Sequence, residues 1–298
     1  MFDVVVVGGG PAGLSAALML GRCRRRVLVC DAGQPRNASS HALHGYLTRD
    51  GIAPAHLNAL GRSELATYGV QVREGVQVTA VDREGDLFEV RLKDGRVEHA
   101  RYLLIATGVV DELPDVRGLA ECYGRSVFHC PYCDGWERRD RRLAALGNGR
   151  SGVQLALSLK TWSSHVVLLA HGSRLGSAAL ARLERNGIEV VPHRLVSLVH
   201  DEGQLSAVEC EGGLRVPLDA IFFTSGQHQR CDLAEGLGCA FNRKGTVETG
   251  NRSETNIANV FVAGDASHDA QFVVVAAAEG VKAALAINQA MQQQELQP

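Results

Sequence analysis

Apolar residues in this chain fall into short unbroken runs, several of which end at a small residue. Such runs, rich in β-branched side chains, are typical of strands buried on both faces of a parallel sheet. They cover residues 2–7, 26–30, 101–105, 143–146, 166–170 and 220–223. Apolar segments of helical length cover residues 14–23 and 272–291, and residues 55–68 are a further helix candidate. The alternation of the two patterns predicts an α/β fold.

Shorter segments alternate between apolar and polar positions, as strands with one solvated face do. Two of them, 76–81 and 87–92, are separated by Glu84-Gly85, which predicts a hairpin turn. From Gln34 to Ala55 the chain is polar and irregular, and we expect an extended loop that either covers a bound cofactor or crosses the surface. The histidines of this loop lack a spacing that indicates metal ligands.

The first strand runs directly into a glycine-rich turn and an apolar helix. Strand, G-x-G-x-x-G turn and helix form a dinucleotide-binding fingerprint, because the glycines let the backbone approach a pyrophosphate at the helix N-terminus. The turn residues predicted to contact the nucleotide are Gly8, Gly10, Pro11, Ala12 and Gly13. Asp31 ends the second strand, where an acid accepts hydrogen bonds from ribose hydroxyls. Small residues at a third strand end, which are Ala106, Thr107 and Gly108, let the chain pass close to the same nucleotide.

A second strand, glycine turn and helix follows at residues 143–159. The glycines predicted to contact a second nucleotide are Gly147, Gly149 and Gly152. The next strand ends without an acidic residue to hold a ribose, which leaves Arg174 or Arg150 as candidates to contact a phosphate. A βαβ unit with a purely structural role is the alternative.

Near the C-terminus, Gly264 and Asp265 follow a strand and precede the helix at 272–291. An aspartate there can accept hydrogen bonds from the ribityl chain of a flavin, with the helix N-terminus facing the pyrimidine end. The alternative is a turn residue that only caps the helix.

The sequence His129-Cys130-Pro131-Tyr132-Cys133-Asp134 carries the most specific chemistry. Two cysteines separated by two residues at a turn into a helix can cycle between dithiol and disulfide. Asp134, next to the second sulfur, is a candidate general acid–base. A zinc site is the first alternative, but none of the other six cysteines forms a second C-x-x-C pair. Two inert buried thiols are the second alternative, which the flanking polar residues disfavour.

Length, charge and cysteine content indicate the number of domains, the kinds of partner and the cellular location. A chain of 298 residues predicts two domains. A formal net charge of −2 gives no reason to expect nucleic acid or an anionic membrane as a partner. We see no secretion signal in the first residues, and eight cysteines with one special pair predict a reducing, cytoplasmic location.

In their order along the chain, these motifs resemble the low-molecular-weight thioredoxin reductases, which are FAD-dependent pyridine nucleotide–disulfide oxidoreductases. The resemblance implies two Rossmann-like dinucleotide-binding domains of three-layer ββα type, the second inserted into the first. It implies an FAD domain at 1–114 and 227–298 and a pyridine-nucleotide domain at 115–226 that carries the redox pair. It also implies domain rotation during turnover, a homodimer and a thioredoxin-like partner.

The resemblance also implies a role for each site residue. Cys130 would attack the partner, Cys133 would lie next to the flavin and Asp134 would be the acid–base. Phe272 and Val273 would lie beside the flavin with the other cofactor-binding residues.

Three short segments depart from the family pattern. Pro131-Tyr132 replaces Ala-Thr between the cysteines, which changes the redox potential and the docking surface. Gly172-Ser173 replaces the arginines that hold the NADPH 2′-phosphate, which argues against NADPH and leaves NADH, ferredoxin or another donor open beside it. Gln271-Phe272-Val273 replaces the Arg-Gln-Ala beside the flavin.

The departures also resemble a divergent branch that includes dithiol oxidases, which carry histidine where this chain has Asp134. The leading prediction is an FAD enzyme that passes electrons from a donor through FAD and Cys130–Cys133 to a thioredoxin-type disulfide. The alternatives are an oxygen-dependent oxidase of a small dithiol and a flavin-binding redox sensor.

Overall fold

The computed structural model describes residues 1–224, 226–267 and 270–296 and divides the chain into two compact units. The first unit comprises residues 1–38, 52–110 and 227–298, and the second comprises residues 39–51 and 111–226. Each unit contains its own sheet, which is mixed in the first unit and parallel in the second.

Seventeen strands and eight α-helices make up the two units in the described part of the chain. The strands are β1 Phe2–Val7, β2 Val27–Asp31, β3 Gln71–Glu74, β4 Val78–Glu84, β5 Leu87–Leu92, β6 Val97–Ile105, β7 Val109–Asp111, β8 Val127–Phe128, β9 Leu143–Leu146, β10 Val166–Leu169, β11 Glu189–Val191, β12 Leu195–Asp201, β13 Gln204–Cys210, β14 Arg215–Pro217, β15 Ala220–Phe223, β16 Gln227–Gln229 and β17 Val260–Val262. The helices are α1 Pro11–Arg22, α2 Pro54–Ala66, α3 Leu119–Cys122, α4 Pro131–Asp134, α5 Gly149–Leu159, α6 Ser177–Arg185, α7 Leu233–Gly236 and α8 Val273–Glu295.

The sheet of the first unit has the order β3-β2-β1-β6-β5-β4, with β17 also paired to β6. Alternate side chains of β1 enter different cores, as the two-residue period of a strand requires. Val4 and Val6 pack with the helices α1 and α8, whereas Val5 and Val7 pack with the β4–β5 hairpin. The result is the three-layer arrangement that the family resemblance implies, with the β4–β5 hairpin on one face of the central strands and the helices on the other.

The second unit repeats the plan with a five-stranded parallel sheet, in the order β11-β10-β9-β15-β8. Leu143 and Ala145 of β9 face the helices α5 and α6, and Ala144 and Leu146 face the antiparallel sheet β12-β13-β14. The predicted α/β class with two dinucleotide-binding folds is confirmed.

Two boundaries differ from the sequence prediction. Residues 39–51 and 111–114, which the prediction assigns to the FAD domain, group with the second unit. The predicted strands at 96–99 and 101–105 are one strand, β6, because Ala100 continues the ladder by pairing with both Phe2 and Phe88.

Helix α8 is long and apolar enough to meet a length and hydropathy criterion for a membrane span, contrary to the prediction that no apolar run approaches that length. Core helices of water-soluble proteins meet the same criterion. Its buried residues, which include Ala283 and Ile287, pack in one core with Ala16 and Leu20 of α1. The criterion is therefore weak support for a membrane contact.

Candidate functional site

The first glycine turn lies where β1 meets α1. Some of its glycines leave no room for a side chain, and one faces open space. A Cβ on Gly13 would collide with the carbonyl oxygen of Gly8, and one on Gly8 would collide with that of Ala106. A Cβ on Gly10 would meet nothing within 4 Å. Gly10 is the N-cap of α1 and has no side-chain cap, so the first amides of the helix are available to a ligand.

Asp31 lies at the C-terminal end of β2, directly beside this turn. Its carboxylate occupies the space that a Cβ on Gly9 would need. One carboxylate oxygen accepts a hydrogen bond from the Gly33 amide at 2.9 Å, and the other lies 3.9 Å from a guanidinium nitrogen of Arg62. The carboxylate is therefore fixed at the position where the fingerprint requires a ribose acceptor.

The Gly264-Asp265 turn lies against the same helix. A Cβ on Gly264 would lie 3.0 Å from that of Ala12, and the Gly264 amide donates to the buried carboxylate of Glu279 at 2.8 Å. Arg36 donates to Asp265 at 2.9 Å. Glu279 and Arg36 are site residues that sequence reasoning missed, because neither belongs to a motif.

The remaining residues predicted to contact the flavin lie at the start of α8 and at the end of β6. Gln271 accepts a hydrogen bond from Arg36 at 2.6 Å, and its buried amide nitrogen has no hydrogen-bond partner among the described residues. Phe272 is the exposed N-cap of α8, and Val273 is the first residue of that helix. Thr107 and Gly108 continue from Ala106 into β7, and the Gly108 carbonyl accepts from the Arg230 amide at 3.3 Å.

These residues fit FAD. The open Gly10 cradle suits a pyrophosphate, and the fixed Asp31 carboxylate suits a ribose. The Gln271 amide nitrogen, which no described residue bonds, is a donor for a polar ring or chain atom. All of them belong to the first unit.

The second glycine turn likewise has one glycine with no room for a side chain and one that faces open space. A Cβ on Gly152 would lie 2.5 Å from the carbonyl carbon of Gly147, whereas one on Gly149 would meet nothing within 4 Å. A cavity of about 430 Å³ opens here, and Gly149, Arg150, Arg174 and Arg182 line part of it. In the described part of the chain, none of these arginines forms an ion pair, so the cavity is suited to an anionic ligand. Sequence reasoning did not single out Arg182, which comes from α6.

Cys130 and Cys133 form a disulfide across α4 in the second unit, with Cα atoms 5.3 Å apart. Cys130 is the N-cap of α4, and its carbonyl accepts from the Cys133 amide at 3.2 Å. Gly135 closes the turn under Trp162, since a Cβ there would lie 2.7 Å from the indole ring. The disulfide supports the redox interpretation of the two cysteines.

The other six cysteines are free. Burial raises the pKa of the Cys30 thiol to about 11 and also raises the pKa of Cys122, Cys210 and Cys239. A high pKa keeps a thiol protonated and unreactive at neutral pH. These four buried thiols are therefore poor candidates for redox chemistry.

Asp134 is the half-buried carboxyl that follows Cys133. Burial is the main cause that raises the pKa of Asp134 from its ordinary 3.8 to about 6, and the negative charge of Glu137 acts in the same direction. The positive charges of His44 and Arg138 oppose both effects. A carboxyl with a pKa close to the working pH can both take up and release a proton during turnover.

His44 comes from the polar loop at 34–55, which groups with the second unit over residues 39–51. Its Nε2 lies 3.5 Å from a carboxylate oxygen of Glu137, and its Nδ1 lies 3.5 Å from one of Asp50. Sequence reasoning missed this residue because it lies far from the cysteines along the chain.

His129, the residue before Cys130, lies in a small polar network. Its Nδ1 lies 3.2 Å from the Tyr123 hydroxyl, which donates to Asp111 at 2.8 Å. Two aromatic side chains next to the cysteines are exposed, Tyr132 at 73% and Trp136 at 65%. The pair is thus bordered by polar groups and by an open aromatic surface.

Among the described residues, one group of side chains could hold a metal ion, and it lies on the β4–β6 strands of the first unit. It consists of Glu84, Glu89 and His99. Glu89 already pairs with Arg91 at 2.7 Å. The group contains no residue of the predicted site.

The family model described as pyridine nucleotide-disulphide oxidoreductase matches residues 2–280 of the chain. Thioredoxin reductase tcpT of Claviceps purpurea is 31% identical, over 88% of this chain and 86% of that protein. The crystal structure of the putative thioredoxin reductase TrxB of Bacillus anthracis has a TM-score of 0.95 at 31% identity, over 99% of this chain and all of that one. The crystal structure of HlmI has a TM-score of 0.94 at 36% identity, over 99% of this chain and 94% of that one.

Proposed function

The chain belongs to the pyridine nucleotide-disulphide oxidoreductase family as an FAD-dependent, thioredoxin-reductase-like enzyme, and from that premise we propose that Cys130 and Cys133 reduce a thioredoxin-type protein disulfide. The observation that carries the proposal is the Cys130–Cys133 disulfide beside a carboxyl whose pKa is about 6. When bound, FAD supplies the electron pair that the disulfide accepts.

The two sulfurs have different tasks in this reaction. The Cys130 thiolate attacks one sulfur of the partner's disulfide, and the departing partner sulfur takes up a proton. Cys133 then attacks the Cys130 sulfur of the mixed disulfide and releases the second partner thiol. The enzyme dithiol is oxidised to the disulfide and the partner disulfide is reduced to a dithiol, so electrons and protons balance.

Asp134 moves the proton in this sequence. As the carboxylate it accepts the proton of the Cys133 thiol, and as the acid it returns a proton to a leaving sulfur. Its partial burial next to Cys133 suits both roles, because neither form is strongly favoured near neutral pH.

We infer that the donor is a nicotinamide nucleotide, with NADPH preferred over NADH. The support is the cavity in the second unit, where Gly149 leaves room for a pyrophosphate at the N-terminus of α5. Arg174 and Arg182 supply positive charge for a 2′-phosphate, in place of the family arginines that Gly172 and Ser173 replace.

An oxygen-dependent dithiol oxidase is the second candidate function. The exposed rings of Tyr132 and Trp136 beside the disulfide favour it, because they offer an apolar surface for a small organic dithiol. In that reaction the small dithiol would reduce Cys130–Cys133, and oxygen would be the final electron acceptor.

An anaerobic titration with NADPH, NADH and dithiothreitol in separate cuvettes distinguishes these functions by flavin absorbance. We expect NADPH to bleach the flavin at near-stoichiometric amounts. In Cys133→Ser we expect FAD binding and bleaching by NADPH to persist, but reduction of thioredoxin to be lost. Bleaching by dithiothreitol alone, with oxygen consumption that needs no nicotinamide, would favour the oxidase. Full thioredoxin reduction by Cys133→Ser would refute both functions.

We further propose a cytoplasmic homodimer that binds neither nucleic acid nor membranes. Six free cysteines beside one redox disulfide support a reducing compartment. Family resemblance supports the dimer, and the net charge of −2 argues against nucleic acid and anionic lipid. Sedimentation velocity tests for the dimer, and cell fractionation tests for the cytoplasmic location. Binding assays with vesicles and oligonucleotides test whether the protein binds membranes or nucleic acid.

A further inference from the structure

The segment that follows β10, residues 170–173, lies where a dinucleotide-binding fold contacts the 2′ group of the adenosine ribose, because β10 is the second strand of its βαβ unit. We call this segment the ribose loop. None of its residues is an acid that could accept a hydrogen bond from a ribose hydroxyl. None is an arginine or a lysine that could hold a 2′-phosphate. Recognition of the 2′ group therefore depends on side chains from outside the ribose loop.

Residues 192–194, which connect β11 to β12, are held against the ribose loop by hydrogen bonds. The Gly172 amide donates to the Pro192 carbonyl at 2.8 Å, and the Leu195 amide donates to Nδ1 of His171 at 3.0 Å. The strands before them, β10 and β11, are neighbours in the parallel sheet of the second unit. The two segments therefore form one continuous surface at the end of β10.

The side chain of Arg194 crosses this surface at Gly172. A Cβ on Gly172 would lie 2.8 Å from Cγ of Arg194, 3.5 Å from Cδ and 3.8 Å from Nε. The stem of the arginine thus occupies the space that a side chain at position 172 would need. The backbone of Gly172 also has a φ of +82°, which favours glycine. Gly172 therefore leaves room for Arg194, whose charged end begins beside the ribose loop.

We propose that Arg194 is a specificity residue of the donor site, and that its guanidinium binds the 2′-phosphate of NADPH. The proposal rests on the proposed function and adds to it a residue that belongs to no motif and to neither of the helices α5 and α6. It also gives Gly172 a task, which is to make room for a cation from the neighbouring segment.

The guanidinium of Arg194 is available for this contact. The residue is exposed, and within the described ranges its side chain forms no ion pair and no hydrogen bond. An arginine fork without a protein partner can donate to two phosphate oxygens at once. Arg174 lies two residues beyond Gly172 and lines the cavity, so arginines from two segments border the end of β10.

The contact distinguishes the two nucleotides by charge. A 2′-phosphate carries about two negative charges near neutral pH, whereas NADH has a neutral hydroxyl at the same position. Arg194 therefore attracts NADPH and contributes little to the binding of NADH. Because the side chain is exposed, dissolved salt screens this attraction.

Isothermal titration calorimetry with NADP⁺ and NAD⁺ tests the proposal on the oxidised, FAD-containing enzyme. Neither nucleotide can reduce the flavin, so the measurement reports binding alone. Arg194→Met keeps a long side chain over Gly172 and removes the charge, and Arg194→Lys keeps the charge without the planar fork. Arg215→Met is the matched control, since Arg215 is an exposed arginine of β14 in the same unit. FAD absorbance and far-UV circular dichroism check that each variant folds.

In the wild type we expect NADP⁺ to bind more tightly than NAD⁺, and the preference to shrink as KCl is raised from about 50 to about 300 mM. In Arg194→Met we expect the affinity for NADP⁺ to fall about tenfold to a hundredfold, while the affinity for NAD⁺ changes by less than about twofold. Arg194→Lys should lose less affinity for NADP⁺ than Arg194→Met. Arg215→Met should match the wild type with both nucleotides.

The wild type and the variants separate the two proposals. If the wild type prefers NADP⁺ but Arg194→Met weakens both nucleotides equally, or neither, Arg194 does not bind the 2′-phosphate and the proposed function stands. If Arg194→Lys and Arg194→Met lose the same affinity for NADP⁺, the charge is not responsible and the proposal also fails. If the wild type binds neither nucleotide, the nicotinamide donor of the proposed function fails as well.

Discussion

The raised pKa of Asp134, which suits it to proton transfer, also makes the stability of the folded chain depend on pH. Its pKa is about 6 in the folded chain, mainly because of burial, and the ordinary value of 3.8 applies when the chain unfolds. The folded state therefore binds the proton more tightly. Stability from this group is fully present below about pH 4 and is lost as pH rises through about 6, where the buried carboxyl must ionise.

Replacing Asp134 by Asn removes that dependence. We expect Asp134→Asn to be more stable than the wild type at pH 8 by about 1–3 kcal/mol, and close to it near pH 4, because the amide never ionises. Urea unfolding at both pH values measures the difference. Asp140→Asn is the control, since Asp140 is exposed and asparagine tolerates its left-handed backbone. Equal stabilisation by Asp134→Asn at both pH values would contradict the ionisation argument.

Residues that act together could be predicted from the sequence when they are also close along it. Cys130, Cys133 and Asp134 fall within one turn, so their spacing alone indicates redox chemistry. His44 could not be found in this way, because its distance from Glu137 is set by how the loop folds. Glu279 was missed for the same reason, since its partner is a backbone amide.

Among the elements, buried strands followed by glycine turns were the most predictable, because a strand covered on both faces needs an unbroken apolar run. The strand β15, Ala220–Phe223, has the predicted ends. Shorter helices such as α3, Leu119–Cys122, and α7, Leu233–Gly236, were not predicted. A single helical turn carries no repeating apolar pattern, so only its tertiary contacts specify it.

Helices α5 and α6 both line the proposed donor site, and we propose that Arg182 of α6 distinguishes NADPH from NADH. We expect Arg182→Ala to weaken NADPH binding about tenfold to a hundredfold while NADH binding changes little, because only NADPH carries the 2′-phosphate. Anaerobic flavin reduction over a range of nucleotide concentrations measures the affinity for NADPH and for NADH.

Arg185→Ala provides the comparison on the same helix. Its guanidinium donates to the Ala181 carbonyl, and it is not among the residues that line the cavity. If Arg182→Ala weakens both nucleotides equally, the side chain shapes the cavity and does not bind the 2′-phosphate.

At the scale of the whole molecule, the two units divide the chemistry between them. The residues that fit FAD belong to the first unit, and both the redox pair and the donor cavity belong to the second. Internal repetition of strand, glycine turn and helix made this division predictable. The grouping of residues 39–51 with the second unit could not be predicted. A polar loop without periodicity carries no signal of the unit on which it packs.

This division predicts that FAD stabilises one unit selectively. A ligand stabilises only the parts that must be folded to bind it, by about 4 kcal/mol when its concentration is a thousand times its dissociation constant. We expect removal of FAD to speed amide hydrogen exchange in β1, β2 and α1 by up to about a thousandfold. Strands β9 and β10 should exchange at nearly unchanged rates.

Hydrogen exchange followed by mass spectrometry, with and without FAD, measures both sets of amides in one sample. Asp31→Ala adds an internal check, because it removes a ribose acceptor and should reduce the protection of the first unit by lowering FAD affinity by about 1–3 kcal/mol. An equal loss of protection in β9 and β10 would mean that the two units unfold as one. In that case FAD would stabilise the redox turn itself, and the stability of Asp134 would have to be measured with the flavin bound.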